Sequence, residues 1–410
     1  MTSFGFLSTY PPTQCGLATF SAALVRQLTG QDGGDRAGVV RVVDTVQPAV
    51  SADVVAQLVN GSPAGPATAA AALNRCDVAI VHHEYGIYGG RDGEDVLRVL
   101  AETEVPVIAV LHTVLAAPTA HQRQVLERIA DAAAAVVVMS QTAADRLGAG
   151  YLVDPAKISV IPHGALTSRR RSPLACLNPF APPAPAAAAR RPIVLTWGLL
   201  GPGKGIEWAL EAFAGLGGLD PAPRYVIAGQ THPKVLAREG EAYRDGLRAR
   251  ARELGISADV EFDPEYHDPD VLTDLVHSAD VVLLPYESTE QVTSGVLIEA
   301  VAASRPIIAT RFPHAVELLA DGTGLLVKHR DVPAMTEALR AVLTGPALAE
   351  SMTQACGRIA SDLAWSTVAD SYRALATSLL GTPITTPITT PITTPITTPI
   401  TPIAPITAAA

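Results

Sequence analysis

Short apolar segments alternate with amphipathic ones along the first part of the chain. The apolar segments are Phe4–Ser8, Val39–Val43, Val78–His82, Val107–Leu111, Ala135–Met139 and Lys157–Ile161. Each has the length of a strand, whereas Leu17–Leu28 has the spacing of an amphipathic helix. Strands that are apolar on both faces are typical of a parallel sheet covered by helices on both sides. The pattern therefore predicts an α/β domain over residues 1–167.

The composition changes over residues 168–191, where Arg169–Arg171 precede a run of proline and alanine. We interpret this stretch as a linker. A second series of strand-like segments follows at Ile193–Trp197, Tyr225–Ala228, Val260–Phe262, Val281–Leu284, Pro306–Ala309 and Gly324–Val327. It predicts a second α/β domain over residues 192–346. Two doubly wound domains in series place the site in the cleft between them, at the carboxyl ends of the strands.

The end of the chain divides into two parts. Residues 347–381 have a helical pattern, and we expect these helices to pack back toward the first domain. Residues 382–410 repeat the tetrapeptide TPIT. Proline at every fourth residue forbids a helix, so we expect this Thr/Pro/Ile-rich tail to be disordered.

Composition and charge narrow the class of protein. The net charge of −10 argues against a broad basic surface, so no nucleic-acid partner is expected. The four cysteines are far apart and form no CxxC pair, which indicates a reducing, cytoplasmic environment. No signal peptide or membrane-spanning stretch is recognised. Peripheral membrane contact and the oligomeric state are left open.

Two glycine-containing loops carry the candidate chemistry. In the segment TEQVTSGVLIEA a helix is predicted to begin near Val296, and the first N–H groups of a helix suit a phosphate ligand. Glu299 lies one helical turn after Gly295 and can reach a ribose beside that phosphate. In WGLLGPGKGIEWALEAF a predicted strand ends in a glycine-rich loop that contains Lys204, a compact charge for phosphate. Each loop alone is also explained by a helix cap or an ordinary turn.

These segments, in this order, resemble the retaining family 4 glycosyltransferases of the GT-B fold. The resemblance extends from about Ser3 to Tyr372 and includes TYPPTQCGLATF, HHEYGIYGG, LHTVL and VIPHG. It implies two Rossmann-like domains and transfer of a hexose from a nucleotide diphosphate sugar to a sugar or glycolipid-type acceptor, with no metal or other cofactor. The catalytic residues that it implies are His112, Lys204 and Glu299. The donor-binding residues that it implies are Gly16, Lys204, Gln291, Thr293, Ser294, Gly295 and Glu299.

The resemblance also assigns individual roles. Lys204 would bind donor phosphate and Glu299 the ribose, while His112 would lie beside the transferred sugar. Gly16 would let the chain pass close to the diphosphate and the acceptor. The backbone N–H groups of Ser294 and Gly295 would bind the distal phosphate.

Two positions depart from the family pattern. Gln291 stands where the first of two paired glutamates is usual, and Glu290 is one residue out of register. Leu199 stands where an arginine is frequent, so a phosphate partner is missing or is supplied by Arg305 or Arg311. The departures put the identity of the hexose in doubt.

Several alternatives stay open from the sequence. A sugar-nucleotide-binding protein without turnover would explain both departures, and a nucleotide-sugar epimerase would need no acceptor. A dehydrogenase is disfavoured because no GxGxxG segment opens either half. His82, His83 and Glu84 invite comparison with a metal site, but adjacent strand residues point to opposite faces, so a packing or cleft-lining role is favoured.

Overall fold

The computed structural model describes residues 1–30, 34–48, 51–167 and 190–381. Within them the chain folds into two α/β domains, each built on its own parallel sheet. Most of the predicted linker and all of the predicted disordered tail lie outside the described residues. No helix of the described residues is long and apolar enough to cross a membrane.

The first domain contains seven strands and five α-helices among the described residues. The strands are β1 (Ser3–Ser8), β2 (Arg36–Val43), β3 (Val54–Val59), β4 (Val78–His83), β5 (Val107–Leu111), β6 (Ala135–Val138) and β7 (Ile158–Val160). The helices are α1 (Gly16–Thr29), α2 (Gly65–Leu73), α3 (Val96–Ala101), α4 (Ala120–Ala132) and α5 (Gln141–Gly150), with single 3₁₀ turns at Arg91–Gly93 and Pro155–Lys157. All strands are parallel, in the order β3-β2-β1-β4-β5-β6-β7.

The second domain has six parallel strands in the order β10-β9-β8-β11-β12-β13. They are β8 (Ile193–Trp197), β9 (Arg224–Ala228), β10 (Val260–Asp263), β11 (Val281–Leu284), β12 (Ile307–Thr310) and β13 (Gly324–Val327). The helices between and after them are α6 (Ile206–Ala214), α7 (Pro233–Glu239), α8 (Ala242–Glu253), α9 (Pro269–Ser278), α10 (Gly295–Ala302), α11 (Pro313–Leu318), α12 (Val332–Thr344), α13 (Pro346–Ile359) and α14 (Trp365–Leu379).

Both sheets are buried on both faces, which explains the continuous apolar runs in their strands. Each sheet separates two clusters of buried side chains, one on either face. The predicted two-domain GT-B-like α/β fold is confirmed. Strand β3, at the edge of the first sheet, is absent from the sequence prediction; only Leu58 of its six residues is buried.

The chain returns to the first domain near its end. After α13 the backbone of Ala165 pairs with that of Leu363 and Trp365, through N···O distances of 2.8 and 3.2 Å. Helix α14 then packs beside α1, with Trp365 and Tyr372 buried in the same cluster as Phe20. The last helix thereby fastens the second half of the chain to the first domain.

Candidate active site

The strand order reverses at one point in each sheet, and the two reversal points face the same cleft. In the first sheet this point lies between β1 and β4, and in the second between β8 and β11. Ligands of doubly wound sheets bind at the carboxyl ends of the strands at such points. The two domains meet around this cleft: Lys234 Nζ, after β9, donates to the Gly86 carbonyl at 3.3 Å, and the hydroxyls of Thr19, after β1, and Tyr266, after β10, are 3.0 Å apart.

The loop after β8 brings Lys204 to a cavity at this edge. Gly203 and Gly205 have φ values of 87° and 68°, and a Cβ on Gly205 would lie 1.9 Å from the Pro285 carbonyl oxygen. Only glycine can therefore occupy position 205 without moving the neighbouring loop. The cavity has a volume of about 370 Å³ and is lined by Pro202, Gly203, Lys204, Tyr286, Glu287, Ser288 and Gln291.

Lys204 is a cation without a counter-ion in the described part of the chain. Its Nζ lies 4.4 Å from the centroid of the Tyr286 ring, and no described carboxylate forms an ion pair with it. Burial lowers the pKa of Lys204 to about 8. Lys204 is half-buried at this cavity, and an unpaired ammonium group in such a place attracts an anion because water screens it less than at an open surface.

The amino end of α10 lies beside the Lys204 loop. A Cβ built on Gly198 would be 3.6 Å from Val296 Cγ2, so the first turn of α10 and the loop after β8 are in contact range. Ser294 caps the helix, because its hydroxyl accepts from the Leu297 N–H at 3.2 Å. A helix amino end and a lysine thus meet at one edge of the second sheet.

The structure changes the prediction for Ser294. Its backbone N–H donates to Nδ1 of His314 at 2.9 Å and is not free for a phosphate. Burial lowers the pKa of His314 to about 3, so the imidazole is neutral and can accept this bond. Among the described residues, the N–H groups of Gly295 and Val296 have no acceptor, and these two are available to a ligand.

Gly295 and Thr293, which flank Ser294, are also in closely packed surroundings. A Cβ on Gly295 would lie 2.9 Å from Nε2 of His163, so a side chain there would require His163 to move. The Thr293 hydroxyl is buried and has no hydrogen-bond partner within the described chain. A buried polar atom without a partner costs stability, which is consistent with a site that a ligand completes.

Glu299 occupies the next turn of α10. Nε1 of Trp197 donates to its Oε2 at 3.0 Å, and burial raises the pKa of Glu299 to about 7. Burial also raises the pKa of Tyr266, to which the nearby charges of Cys15 and Glu299 add. Tyr266 contacts Thr19 of α1 on the opposite wall of the cleft.

Gly16 is the first residue of α1, and Cys15 caps the helix with a 3.4 Å contact from the Ala18 N–H to Sγ. A Cβ on Gly16 would meet no atom within 4 Å. The packing of the described chain therefore does not require glycine here, and open space lies in front of this helix end.

His112 belongs to a cluster of neutral imidazoles. Its Nε2 is 2.9 Å from Nδ1 of His82, and the Phe20 ring packs edge-on against His82, His112 and His163. Burial, followed by neighbouring histidines, lowers the pKa of His112 well below its ordinary value. His112 is thus suited to hydrogen bonding with hydroxyl groups, not to binding phosphate as a cation.

The histidines of β4 point to opposite faces, as expected for adjacent strand residues. His82 packs near Phe6 and Phe20, whereas the His83 ring lies 4.9 Å from that of Tyr85. Residue Glu84 accepts a hydrogen bond from Thr113. The described residues contain no group of three histidine, cysteine or acidic side chains placed to hold a metal ion.

The residues that depart from the family pattern, and the arginines that could replace a missing cation, lie at different places in the structure. Gln291 lines the Lys204 cavity, whereas Glu290 accepts hydrogen bonds from the first domain. Arg305 precedes β12 and donates to carbonyls at the opposite edge of the sheet, so it is not the substitute for an arginine at Leu199. Arg311 follows β12, at the same edge as the cavity.

Sequence reasoning missed the side chains that support the predicted ones. Tyr286 under Lys204, Trp197 on Glu299 and His314 on Ser294 make contacts across separate elements. The sequence signal for them is a position near the end of a predicted strand: Trp197 ends Ile193–Trp197, Tyr286 follows Val281–Leu284 by two residues and His314 follows Pro306–Ala309 by five.

Two doubly wound domains that face each other across such a cleft define the GT-B class of glycosyltransferase folds. Solved structures of this class superimpose on most of the chain. Anabaena HepE in complex with UDP and glucose covers 92% of the chain with a TM-score of 0.69 and 17% identity, and all of that protein is covered. The sucrose-phosphate synthase of Thermosynechococcus elongatus covers 93% with a TM-score of 0.68 and 17% identity, again over its whole length.

Sequence comparisons give the family. Residues 179–357 match the model of the group 1 glycosyl transferases, and residues 25–169 match that of glycosyltransferase family 4. The D-inositol 3-phosphate glycosyltransferase of Mycobacterium avium is 32% identical over 308 residues, which are 72% of this chain and 68% of that protein. Its counterpart in Mycobacterium tuberculosis is 30% identical over 263 residues, 62% and 51% of the two chains. The chain belongs to the family 4, group 1 glycosyltransferases of the GT-B fold, and it is a glycosyltransferase.

Proposed function

We propose that the protein transfers a hexose, with retention of configuration, from a nucleotide diphosphate sugar to a hydroxyl group of a sugar or glycolipid-type acceptor, and that it needs no metal ion. The observation that carries the proposal is the unpaired Lys204 beside the free N–H groups of Gly295 and Val296. A lysine in a loop that lies in contact range of a helix amino end offers a site for a diphosphate.

The proposed reaction balances without a protein nucleophile. The bond between C1 of the hexose and the leaving phosphate oxygen breaks, and the acceptor oxygen bonds to C1 on the same face. The acceptor proton passes to an oxygen of the leaving diphosphate. The protein then has to orient both substrates and to stabilise the charge that develops on the diphosphate. Lys204 and the two N–H groups are fixed in place for the second task.

The remaining residues supply orientation. Glu299, one turn into α10, accepts hydrogen bonds from the ribose hydroxyls. Gly16 leaves room for the diphosphate. His112 and Gln291 contact the hexose from opposite domains, as hydrogen-bonding groups without charge.

Similar proteins suggest which substrates to test first. HepE has been crystallised with UDP-glucose, and the mycobacterial relatives are named for D-inositol 3-phosphate. UDP-sugars are therefore the first donors to screen, followed by GDP- and ADP-sugars, and polyols and their phosphates are the first acceptors.

The decisive experiment combines binding and product analysis. Nucleotide sugars that raise the melting temperature bind the folded state, and each is then incubated with acceptors in the presence of EDTA. We expect nucleoside diphosphate release and a product whose anomeric configuration, measured by NMR, equals that of the donor. An inverted product would refute retention, and activity only with added magnesium would refute metal independence.

A second function is favoured by Gln291 and Leu199. Loss of the usual glutamate and arginine is consistent with a sugar-nucleotide-binding protein that has no turnover. Tight binding of a nucleotide sugar without transfer or slow hydrolysis would favour it over the enzyme proposed here.

A further inference from the structure

The segment between β11 and α10 is shared between the two domains. Gln291 lines the donor cavity of the second domain. Its neighbour Val292 is only 1% exposed and packs into the buried cluster of the first domain, which otherwise consists of first-domain residues. Glu290 also contacts the first domain. Three successive residues of one short segment therefore contact different domains: Glu290 and Val292 the first, and Gln291 the cavity of the second.

Arg146, on α5 of the first domain, forms hydrogen bonds with this segment. Its Nη1 donates to the Glu290 carbonyl at 3.0 Å and lies 3.1 Å from Glu290 Oε2. The same Nη1 donates to the Val114 carbonyl at 2.9 Å, and the Ala116 N–H donates to Glu290 Oε2 at 2.7 Å. The Arg146 side chain is 16% exposed and that of Glu290 42% exposed, so the contact is shielded from water on the Arg146 side only.

These contacts join the two loops that flank the proposed hexose. Val114 and Ala116 follow His112 in the loop after β5, and Glu290 precedes Gln291 in the loop after β11. The bonds from Arg146 and Ala116 to Glu290 therefore fix the separation of His112 and Gln291, although neither Arg146 nor Glu290 lines the cavity.

A second carboxylate supports the same helix. Glu317 of α11 accepts from the backbone N–H groups of Gln141 and Thr142, each at 2.8 Å, at the amino end of α5. A carboxylate at a helix amino end is favoured by the helix dipole. Helix α5 is thus attached to the second domain at its start and, through Arg146, near its middle.

We propose that Arg146, Glu290 and Val292 are positioning residues for the transfer reaction. They set the distance between His112 and Gln291, and hence the placement of the hexose between donor and acceptor sites. This inference rests on the proposed function. Because Lys204, Glu299 and the amino end of α10 hold the nucleotide within the second domain, loss of the Arg146–Glu290 contact should affect the reaction and spare nucleotide binding.

The first test compares Arg146→Met, Glu290→Ala and the double variant. Each single change should lower kcat by about tenfold or more, since small misplacements of reacting groups are costly. The dissociation constant of UDP should stay within about twofold. The double variant should be no worse than either single one, because the two residues share one contact. Glu261→Gln, which breaks an exposed ion pair with Arg224 inside the second domain, is the matched control and should leave kcat unchanged.

Hydrogen exchange gives a readout that does not need turnover. In Glu290→Ala the amide of Ala116 loses its acceptor, so it should exchange faster than in the wild type, both with and without UDP. An unchanged exchange rate, unchanged kcat in both single variants, or equal losses of kcat and UDP affinity would overturn the inference. A wild type that neither transfers nor hydrolyses any donor would instead contradict the proposed function, and the exchange measurement would still decide the contact.

Discussion

Replacing Lys204 by methionine tests the phosphate site most directly. The change keeps the aliphatic stem against Tyr286 and removes only the ammonium group, which has no described ion-pair partner. A hydrogen bond to a charged group contributes about 1.5–3 kcal/mol. The dissociation constant of a nucleotide sugar should therefore rise by about 10- to 150-fold. The same change should leave the free protein at least as stable, because the surroundings of Lys204 disfavour its charged form, as the lowered pKa indicates.

The pH dependence sharpens this prediction. Since burial lowers the pKa of Lys204 to about 8, the free protein loses this charge as the pH rises through 8. A bound diphosphate favours the charged form, so binding above pH 8 must take up a proton. The wild-type affinity should then fall by about tenfold per pH unit. Lys204→Met has no group to protonate and should lack this slope.

Isothermal titration calorimetry at pH 7 and 9.5 measures both effects, and buffers of different ionisation enthalpy near pH 8 reveal the proton uptake. Lys157→Ala is the matched control, because that ammonium donates to the Ala130 and Asp131 carbonyls at the far edge of the first sheet. Equal affinity of Lys204→Met and wild type at pH 7, or the same slope above pH 8 in both, would refute a phosphate role for Lys204.

Three further outcomes follow from the site. Glu299→Gln should weaken the binding of all nucleotide sugars of one nucleobase equally, whereas Gln291→Glu should change the order of affinity among hexoses. Competition assays with UDP-glucose and other UDP-sugars distinguish the two effects. A hexose-specific effect of Glu299→Gln would reverse these roles. Because burial raises the pKa of Glu299 to about 7, donor affinity should fall as the pH drops below 7, and Glu299→Gln should remove that fall in titrations from pH 5.5 to 7.5. Transfer should persist in EDTA, and its complete loss with recovery on adding magnesium or manganese would contradict the metal-free mechanism.

Much of the fold was predictable because its strands are buried on both faces. A strand such as Val107–Leu111, with every residue buried, must be apolar throughout, and its boundaries were predicted correctly. Strand β3 was missed, and only one of its six residues is buried. Low burial alone does not explain the omission, because β7 and β10 contain no buried residue and were nevertheless predicted.

The sequence predicted those features of the site that depend on neighbouring residues in the chain. The glycine-rich loop with Lys204 and the cap of α10 are local features, and both lie where the sequence places them. That the Ser294 N–H is already bonded could not be predicted, because its acceptor on His314 lies twenty residues away on another helix. The contact of Glu290 with the first domain is likewise a property of the assembled cleft.

The one-residue offset between Glu290 and the usual glutamate position has a physical consequence for Lys204. The cavity that Lys204 lines already contains Glu287, which pairs with Arg330; an acidic residue at position 291 would add a second carboxylate, and an opposite charge nearby would hold the pKa of the lysine higher than about 8. In this chain position 291 is the neutral Gln291, and the carboxylate of Glu290 pairs with Arg146 of the first domain. Among the described residues Lys204 therefore has no ion-pair partner. An unpaired lysine attracts a diphosphate more strongly than one already neutralised by a neighbour.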